Sequence, residues 1–170
     1  MKQKIYQIVA VDKAMGIGKD GKLPWHFKKE ILYFKEVTTK TIDPEKQNML
    51  IMGRTTWESI PENFRPLLGR LNVILTSRTE FAITGAKVAH SLEEALALAD
   101  ESIETIFIIG GAMTFTESLD RSDGLYITKI HKVYECDTFF PSIPENFKQE
   151  HMSKDSEDGV DFDYYFYERS

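Results

Sequence analysis

Short apolar runs alternate with stretches of helical periodicity along almost the whole chain, and that alternation leaves few folds open. Lys4 to Val11, Met49 to Met52, Leu71 to Thr76, Ala86 to Ala89, Thr105 to Ile109 and Leu125 to Ile130 read as strands. Between them, Phe27 to Val37, Arg54 to Ile60, Leu92 to Ala99 and Ala112 to Leu119 carry helical spacing. Ser91 is placed as an N-cap, with Glu94 positioned for a capping box. Strands separated by helices join in parallel, with helices covering both sheet faces. Near the end, Phe147 to Met152 and Asp161 to Tyr167 flank the polar stretch Ser153 to Gly159 and read as a closing hairpin. The expected fold is α/β, a mostly parallel central sheet of about eight strands with an antiparallel C-terminal edge and about four flanking helices. No repeat, linker or low-complexity tract divides residues 1–170, so one domain is expected.

Composition narrows the function classes. With 42% hydrophobic residues, a chain of 170 can build a core without covalent staples. The net charge of −6 argues against a dedicated nucleic-acid or membrane-surface binder, although a local basic patch could still serve a small anion. The single cysteine, Cys136, allows no intramolecular disulfide and fits a reducing compartment. Cys136 and the histidines at 26, 90, 131 and 151 lack metal-ligand spacing. Met1 to Val11 lacks the apolar run of a signal peptide, and no stretch approaches a membrane span of about 20 residues. A cytoplasmic, metal-free protein is expected.

In open α/β sheets, ligands bind outside the carboxyl ends of the strands. That directs attention to Asp12 to Pro24, Gly53 to Thr56, Thr76 to Arg78, and Gly110-Gly111. Gly16 to Gly21 matches G-x-G-x-x-G after a strand, but Leu23-Pro24-Trp25 follows where a dinucleotide fingerprint needs a helix. The segment reads instead as a mobile glycine loop of about a dozen residues, either a lid over a site or a plain solvent loop.

The helix from Phe27 carries the most informative side chain. Phe27, Ile31, Phe34 and Thr38 fall on one stripe, and Glu30 lies at its edge. A carboxylate facing apolar surroundings is costly unless paired or hydrogen-bonded. Glu30 either snorkels to water or grips a cationic or amidine-like ligand group. Trp25, His26 and Phe34 nearby suggest a flat heteroaromatic ligand. Gly110-Gly111 and Gly53-Arg54-Thr55-Thr56 are strand-to-helix turns able to bring N–H groups to phosphate, or ordinary turns. Thr76-Ser77-Arg78 adds two hydroxyls and a guanidinium, and with Arg54 could hold an extra nucleotide phosphate. Either arginine alone reads as a solvated surface residue, and only their joint placement points to a phosphate. Arg70, beyond Pro66-Leu67-Leu68-Gly69, could clamp a carboxylate at two points.

These pieces, in this order, resemble dihydrofolate reductase of the monomeric chromosomal type, over about Ile5 to Glu168. The resemblance rests on Gly16-Ile17-Gly18, on Leu23-Pro24-Trp25 with Glu30 and Phe34, and on Met52 to Pro61. Gly69-Arg70, Ile109-Gly110-Gly111, Tyr126-Ile127-Thr128 and Asp137-Thr138 complete it. It implies NADPH-dependent reduction of 7,8-dihydrofolate to tetrahydrofolate in one-carbon metabolism, by a monomer open to antifolate inhibitors. Glu30 would bind the pterin 2-amino group and N3 and promote N5 protonation through ordered water. Thr128 would support Glu30, and Trp25 would order that water. Ile8, Ala10, Ile31, Phe34, Ile60 and Leu67 would line the pterin and benzoyl pocket, with Arg70 on the glutamate α-carboxylate.

By the same resemblance, Ile17, Gly18, Ile109, Gly110, Gly111 and Phe115 would contact the cofactor's nicotinamide half, and Ala10, Gly53 and Ala112 would also bind the cofactor. Arg54, Thr55, Thr56, Thr76, Ser77 and Arg78 would hold its phosphates, including the 2′-phosphate. Residues 48–103 would form an adenosine-binding subdomain, Gly110-Gly111 would be joined in cis, and Asp137 would tie down the glycine lid. Some positions depart from the pattern. Glutamate replaces the aspartate of many bacterial members, and Phe27-Lys28 replaces Leu-Pro, which would shift the helix start. Phe115 stands for tyrosine, Thr55 for histidine, and Thr39 to Gln47 is a longer connection than in the shortest members. The competing readings are a reductase of the riboflavin pathway and a non-catalytic nucleotide- or RNA-binding relative. Glu30 with Arg70 speaks against the first, and the intact acid and lining speak against the second.

Overall fold

The computed structural model describes residues 2–170. Ten strands form in chain order. β1 (Lys4–Val11), β2 (Gly16–Gly18), β3 (Gln47–Gly53), β4 (Arg70–Leu75) and β5 (Lys87–Ala89) come first. They are followed by β6 (Ile103–Gly110), β7 (Gly124–Ile130), β8 (Thr138–Phe139), β9 (Phe147–Glu157) and β10 (Val160–Arg169). The α-helices are α1 (Lys28–Thr39), α2 (Arg54–Ser59), α3 (Leu92–Ala97) and α4 (Ala112–Ser118), with 3-10 turns at Glu62–Phe64 and Leu119–Arg121. Eight strands make one sheet in the order β5-β4-β3-β6-β1-β7-β10-β9. The first six are parallel, and β10 runs antiparallel to both β7 and β9, as the chain's patterning led us to expect.

Burial on both faces explains the apolar runs. Met49, Leu50, Ile51 and Met52 are wholly buried, and Ile106, Phe107 and Ile108 beside them nearly so. One cluster gathers Met49, Ile51, Ile106, Ile108, Phe115 and Leu125. A second on the sheet packs Ile8, Leu50, Met52, Trp57, Ile74 and Phe107. At about 25 cal/mol per Å², each such fully buried side chain contributes roughly 1.5–3 kcal/mol.

Several boundaries differ from the sequence expectation. β3 begins at Gln47 because Asn48 is buried with all its polar atoms used. Its amide donates to Thr38 O and Lys40 O at 2.9 Å each, closing the end of α1, and its oxygen accepts the Thr105 N–H. In α3, Ser91 accepts the Glu94 N–H at 3.0 Å as expected, but the Glu94 carboxylate returns to the N–H of His90 rather than of Ser91. The polar stretch 153–157 is strand rather than turn. The hairpin reverses at Asp158-Gly159, whose φ values of 51° and 77° match the type I′ geometry that Asp-Gly favours.

The glycine loop is also more ordered than a plain solvent loop. β2 pairs with β8. The Asp12 carboxylate accepts the N–H groups of Ala14, Gly16 and Tyr134 at 2.7–2.9 Å. Burial pushes the Asp12 carboxyl up, but these N–H groups outweigh it and hold it below the usual range. The Asp20 N–H donates to Asp137 Oδ2 at 3.0 Å, and Asp137 N–H donates to Gly18 O. No α-helix among the described residues is long and apolar enough to cross a membrane.

Candidate active site

α1 leaves β1 through the glycine loop and lies back against the sheet. Of the expected stripe, Phe27, Phe34 and Thr38 lie on its inward face and Ile31 does not. Glu30, Tyr33, Phe34, Val37 and Thr38 turn inward at helical spacing, whereas Ile31 is 47% exposed. Glu30 is therefore a member of the buried face, not its edge.

Burial pushes the Glu30 carboxyl up to about 7, and the Thr128 hydroxyl on β7, a hydrogen-bonding partner, offsets only part of that. Among the described residues no Lys, Arg or His forms an ion pair with it. Tyr33 and Tyr164 lie close enough to feel its charge. Tyr33 stacks on Tyr164 with centroids 3.9 Å apart, and Phe27 lies 5.3 Å from Phe162. Burial, then the Tyr126 hydroxyl and Glu30, push the Tyr33 phenol up to about 12; Tyr164 shifts the same way. An acid that stays partly protonated near neutrality, without a cation of its own, is equipped to exchange a proton with a bound ligand. Trp25 is buried against Tyr134, and its indole N–H has no partner among the described residues.

The fold brings most of the expected lining together. Ile8 is buried in the second cluster, and Phe34, Ile60, Leu67 and Ile109 pack half-buried against it. Ala10 packs instead with Trp25, Phe27 and Tyr164. Arg70 is buried; its Nε donates to Leu68 O and its Nη1 to the Thr38 hydroxyl. It has no carboxylate partner among the described residues, and burial lowers its proton affinity. A buried guanidinium left without an anion is a site for one.

On the other side of the sheet's carboxyl edge, the Gly110–Gly111 peptide is cis, as is Arg65–Pro66. Around the glycines the backbone is tightly approached. A Cβ on Gly110 would meet the Thr56 hydroxyl at 3.0 Å, and one on Gly111 at 3.4 Å. On Gly53 it would meet the Thr114 hydroxyl at 3.2 Å. Gly53 and Gly111 are the N-caps of α2 and α4, and neither helix has a side-chain cap, so N–H groups of both first turns face outward beside the glycines. Ala112 opens α4 and Thr55 lies in the first turn of α2. Ile17 is half-buried against the first cluster, beside Gly18.

Phe115 is almost wholly buried, packing on Phe140 at 5.1 Å, so its ring backs the site from the core. Arg54 bonds Glu58 through both carboxylate oxygens, at 2.8 and 3.0 Å. Thr76 accepts the Arg78 N–H, and Ser77 and Arg78 are exposed.

Sequence reasoning did not single out Asp12, Tyr33 or Tyr164. Tyr33 is three residues past Glu30, a spacing that marks it. Tyr164 stacks on a partner more than a hundred residues away, and Asp12 ties its neighbours Ala14 and Gly16 to the distant Tyr134; no local pattern signals the distant partners.

Known proteins resemble this chain along most of its length. The dihydrofolate reductase family model matches residues 4–169. A dihydrofolate reductase of Drosophila melanogaster is 39% identical, covering 95% of this chain and 96% of its own length. One from Candida albicans is 43% identical over 86% of this chain and 80% of its own length. A bifunctional dihydrofolate reductase-thymidylate synthase of Glycine max is 45% identical over 83% of this chain, which spans only 29% of that longer protein. The partly buried acid on the first helix, the lone buried arginine and the glycine-lined cis turn thus occur in a chain that belongs to the dihydrofolate reductase family.

Proposed function

We propose that this chain reduces 7,8-dihydrofolate to 5,6,7,8-tetrahydrofolate with NADPH, adding hydride at C6 and a proton at N5. The observation that carries the reading is Glu30, a buried carboxyl with proton affinity near neutrality, close to Tyr33 and Tyr164 and with no paired cation among the described residues.

Glu30 would accept the 2-amino and N3 protons of the pterin, an arrangement that fits a carboxylate's two oxygens. Thr128 orients it. The free indole N–H of Trp25 suits a donor to the ordered water through which a proton reaches N5. Ile8, Ala10, Ile31, Phe34, Ile60 and Leu67 would exclude solvent from the ring and benzoyl group. Arg70 would hold the α-carboxylate with the donors its two protein bonds leave free. Antifolates bearing the same amino-heterocycle edge would compete for Glu30.

Gly53, Gly110 and Gly111 bring the strand ends and the starts of α2 and α4 close against Thr56 and Thr114, and uncapped N–H groups at such strand-to-helix turns suit the phosphates of a dinucleotide. The cofactor, when bound, supplies the hydride. Ile17, Gly18, Ile109, Ala112 and Phe115 would shape the nicotinamide side. Residues 48–103 would carry the adenosine, with Thr55, Thr56, Thr76, Ser77 and Arg78 as phosphate ligands and Arg54 released from Glu58 to join them. A monomer working in the cytoplasm completes the reading; the lone Cys136 supports that compartment.

The test is loss of NADPH absorbance when purified protein meets dihydrofolate; no loss with both substrates present would overturn the proposal. For the cofactor, the NADPH-to-NADH ratio of kcat/KM should fall about tenfold or more in Arg54→Ala/Arg78→Ala, as charge-assisted bonds to the 2′-phosphate disappear. An unchanged ratio would remove both arginines from that role.

A further inference from the structure

The start of α1 is built unusually, and the acid it carries depends on that construction. Phe27 is the N-cap, with φ −122° and ψ 115°, and it offers no side-chain acceptor to the helix. Lys28, Lys29 and Glu30 are the first three helical residues. Two of their N–H groups find an acceptor 128 and 129 residues away. Lys28 N–H donates to Glu157 Oε2 at 2.8 Å, and Lys29 N–H to Glu157 Oε1 at 3.0 Å. Glu157 is the last residue of β9, fixed by the tight Asp158-Gly159 turn. Lys29 Nζ adds bonds to Asp155 and to Ser156 O.

We propose that Glu157 is a positioning residue for Glu30, serving as a borrowed N-cap that clamps the first turn of α1 onto the C-terminal hairpin. The inference rests on the reading of Glu30 as the pterin-binding acid. Proline at the position of Lys28 would need no acceptor, because it has no N–H. Lysine there brings a donor that must be satisfied, and Glu157 satisfies it together with the next one. The Lys29 and Lys28 amides help to hold the Glu157 carboxyl below its usual range, so it is ionised at the helix's positive end.

The far end of α1 is clamped as well, by Asn48 on Thr38 O and Lys40 O and by Arg70 on the Thr38 hydroxyl. The groups around Glu30 are Tyr33 on its own helix, Tyr164 from β10 and Thr128 from β7, with Tyr126 from β7 acting on Tyr33. Asp155 and Glu157 from β9 act on Tyr164. Fraying the first turn would let water reach Glu30 and weaken the desolvation that sets its proton affinity.

The experiment compares parent, Glu157→Ala, and Glu157→Ala/Lys28→Pro. Two readouts serve: the NMR titration of the Glu30 carboxyl in ligand-free protein, and the pH profile of kcat beside KM for NADPH. In Glu157→Ala, Glu30 should titrate lower, toward the ordinary carboxylate range. At pH 7 kcat should drop about fivefold, the factor matching a lost cap, with KM for NADPH unchanged. Proline at 28 should recover part of both effects, since it removes one of the two donors left without an acceptor and Phe27 already holds the extended conformation that precedes proline. Parental titration and parental pH profile in Glu157→Ala would overturn the proposal, as would a loss that Lys28→Pro does not recover. A parent inactive on dihydrofolate would sink the functional reading instead, while the NMR titration would still decide the role of Glu157.

Discussion

At pH 7 the Glu30→Gln variant loses about 10²–10⁴-fold in kcat, the range over which positioned acids and bases act. Glutamine keeps the shape of the side chain and its place on α1. It fails in two respects. The amide offers one acceptor and one donor where two ligand N–H groups need acceptors, so one donor is left buried and unpaired. It also has no proton to lend. Burial raises the Glu30 carboxyl to about 7, so this acid keeps its proton to higher pH than an ordinary carboxyl, and the parental rate should fall as pH rises through 7. The variant should show no such limb near 7. It should recover partly at low pH, where solvent protonates the substrate directly. Measuring kcat from pH 5 to 9 for both proteins decides the matter; equal rates at pH 7 would take Glu30 out of the chemistry.

That acid was visible in the chain because a carboxylate at helical spacing among aromatics conflicts with the rest of its helix. The parallel core was visible for a related reason. Strands buried on both faces, such as Met49 to Met52, must be apolar throughout. What local patterns missed is held by polar groups with distant partners. Gln47, Asn48 and Arg70 lie in strands although they are polar, since Asn48 closes α1 and Arg70 reaches Thr38. Beyond buried Phe147, β9 is mostly exposed, so its second half has no apolar alternation to mark it as strand. The short β2–β8 pair rests largely on backbone bonds and the Asp12 and Asp137 carboxylates, with only Ile17 offering an apolar side chain in β2. For the same reason Glu157 cannot be linked to Glu30 from sequence, as the bonds joining them span the whole fold.

The same Glu30→Gln change should stabilise the ligand-free protein, by an amount that depends on pH. Below about 4.5, the ordinary value for this group, Glu30 is protonated in both folded and unfolded chains, and burial then costs little. Between about 4.5 and 7 the unfolded chain releases its proton while the folded chain keeps it. The native state binds more protons over that window, so parental stability falls as pH rises. Above 7 both states are ionised and the penalty is complete, about 2–3 kcal/mol for a shift of this size at a partly buried position. Glutamine carries no charge to bury, so its advantage grows from near zero at pH 4.5 to that figure at pH 8. In a domain of this size it corresponds to about 4–12 °C in Tm. Thermal unfolding of parent and variant at pH 5 and pH 8 measures it directly. A difference that does not change with pH would mean that Glu30 is solvated in the free protein. Its readiness to hold a proton would then have to come from the bound ligand, not from the fold.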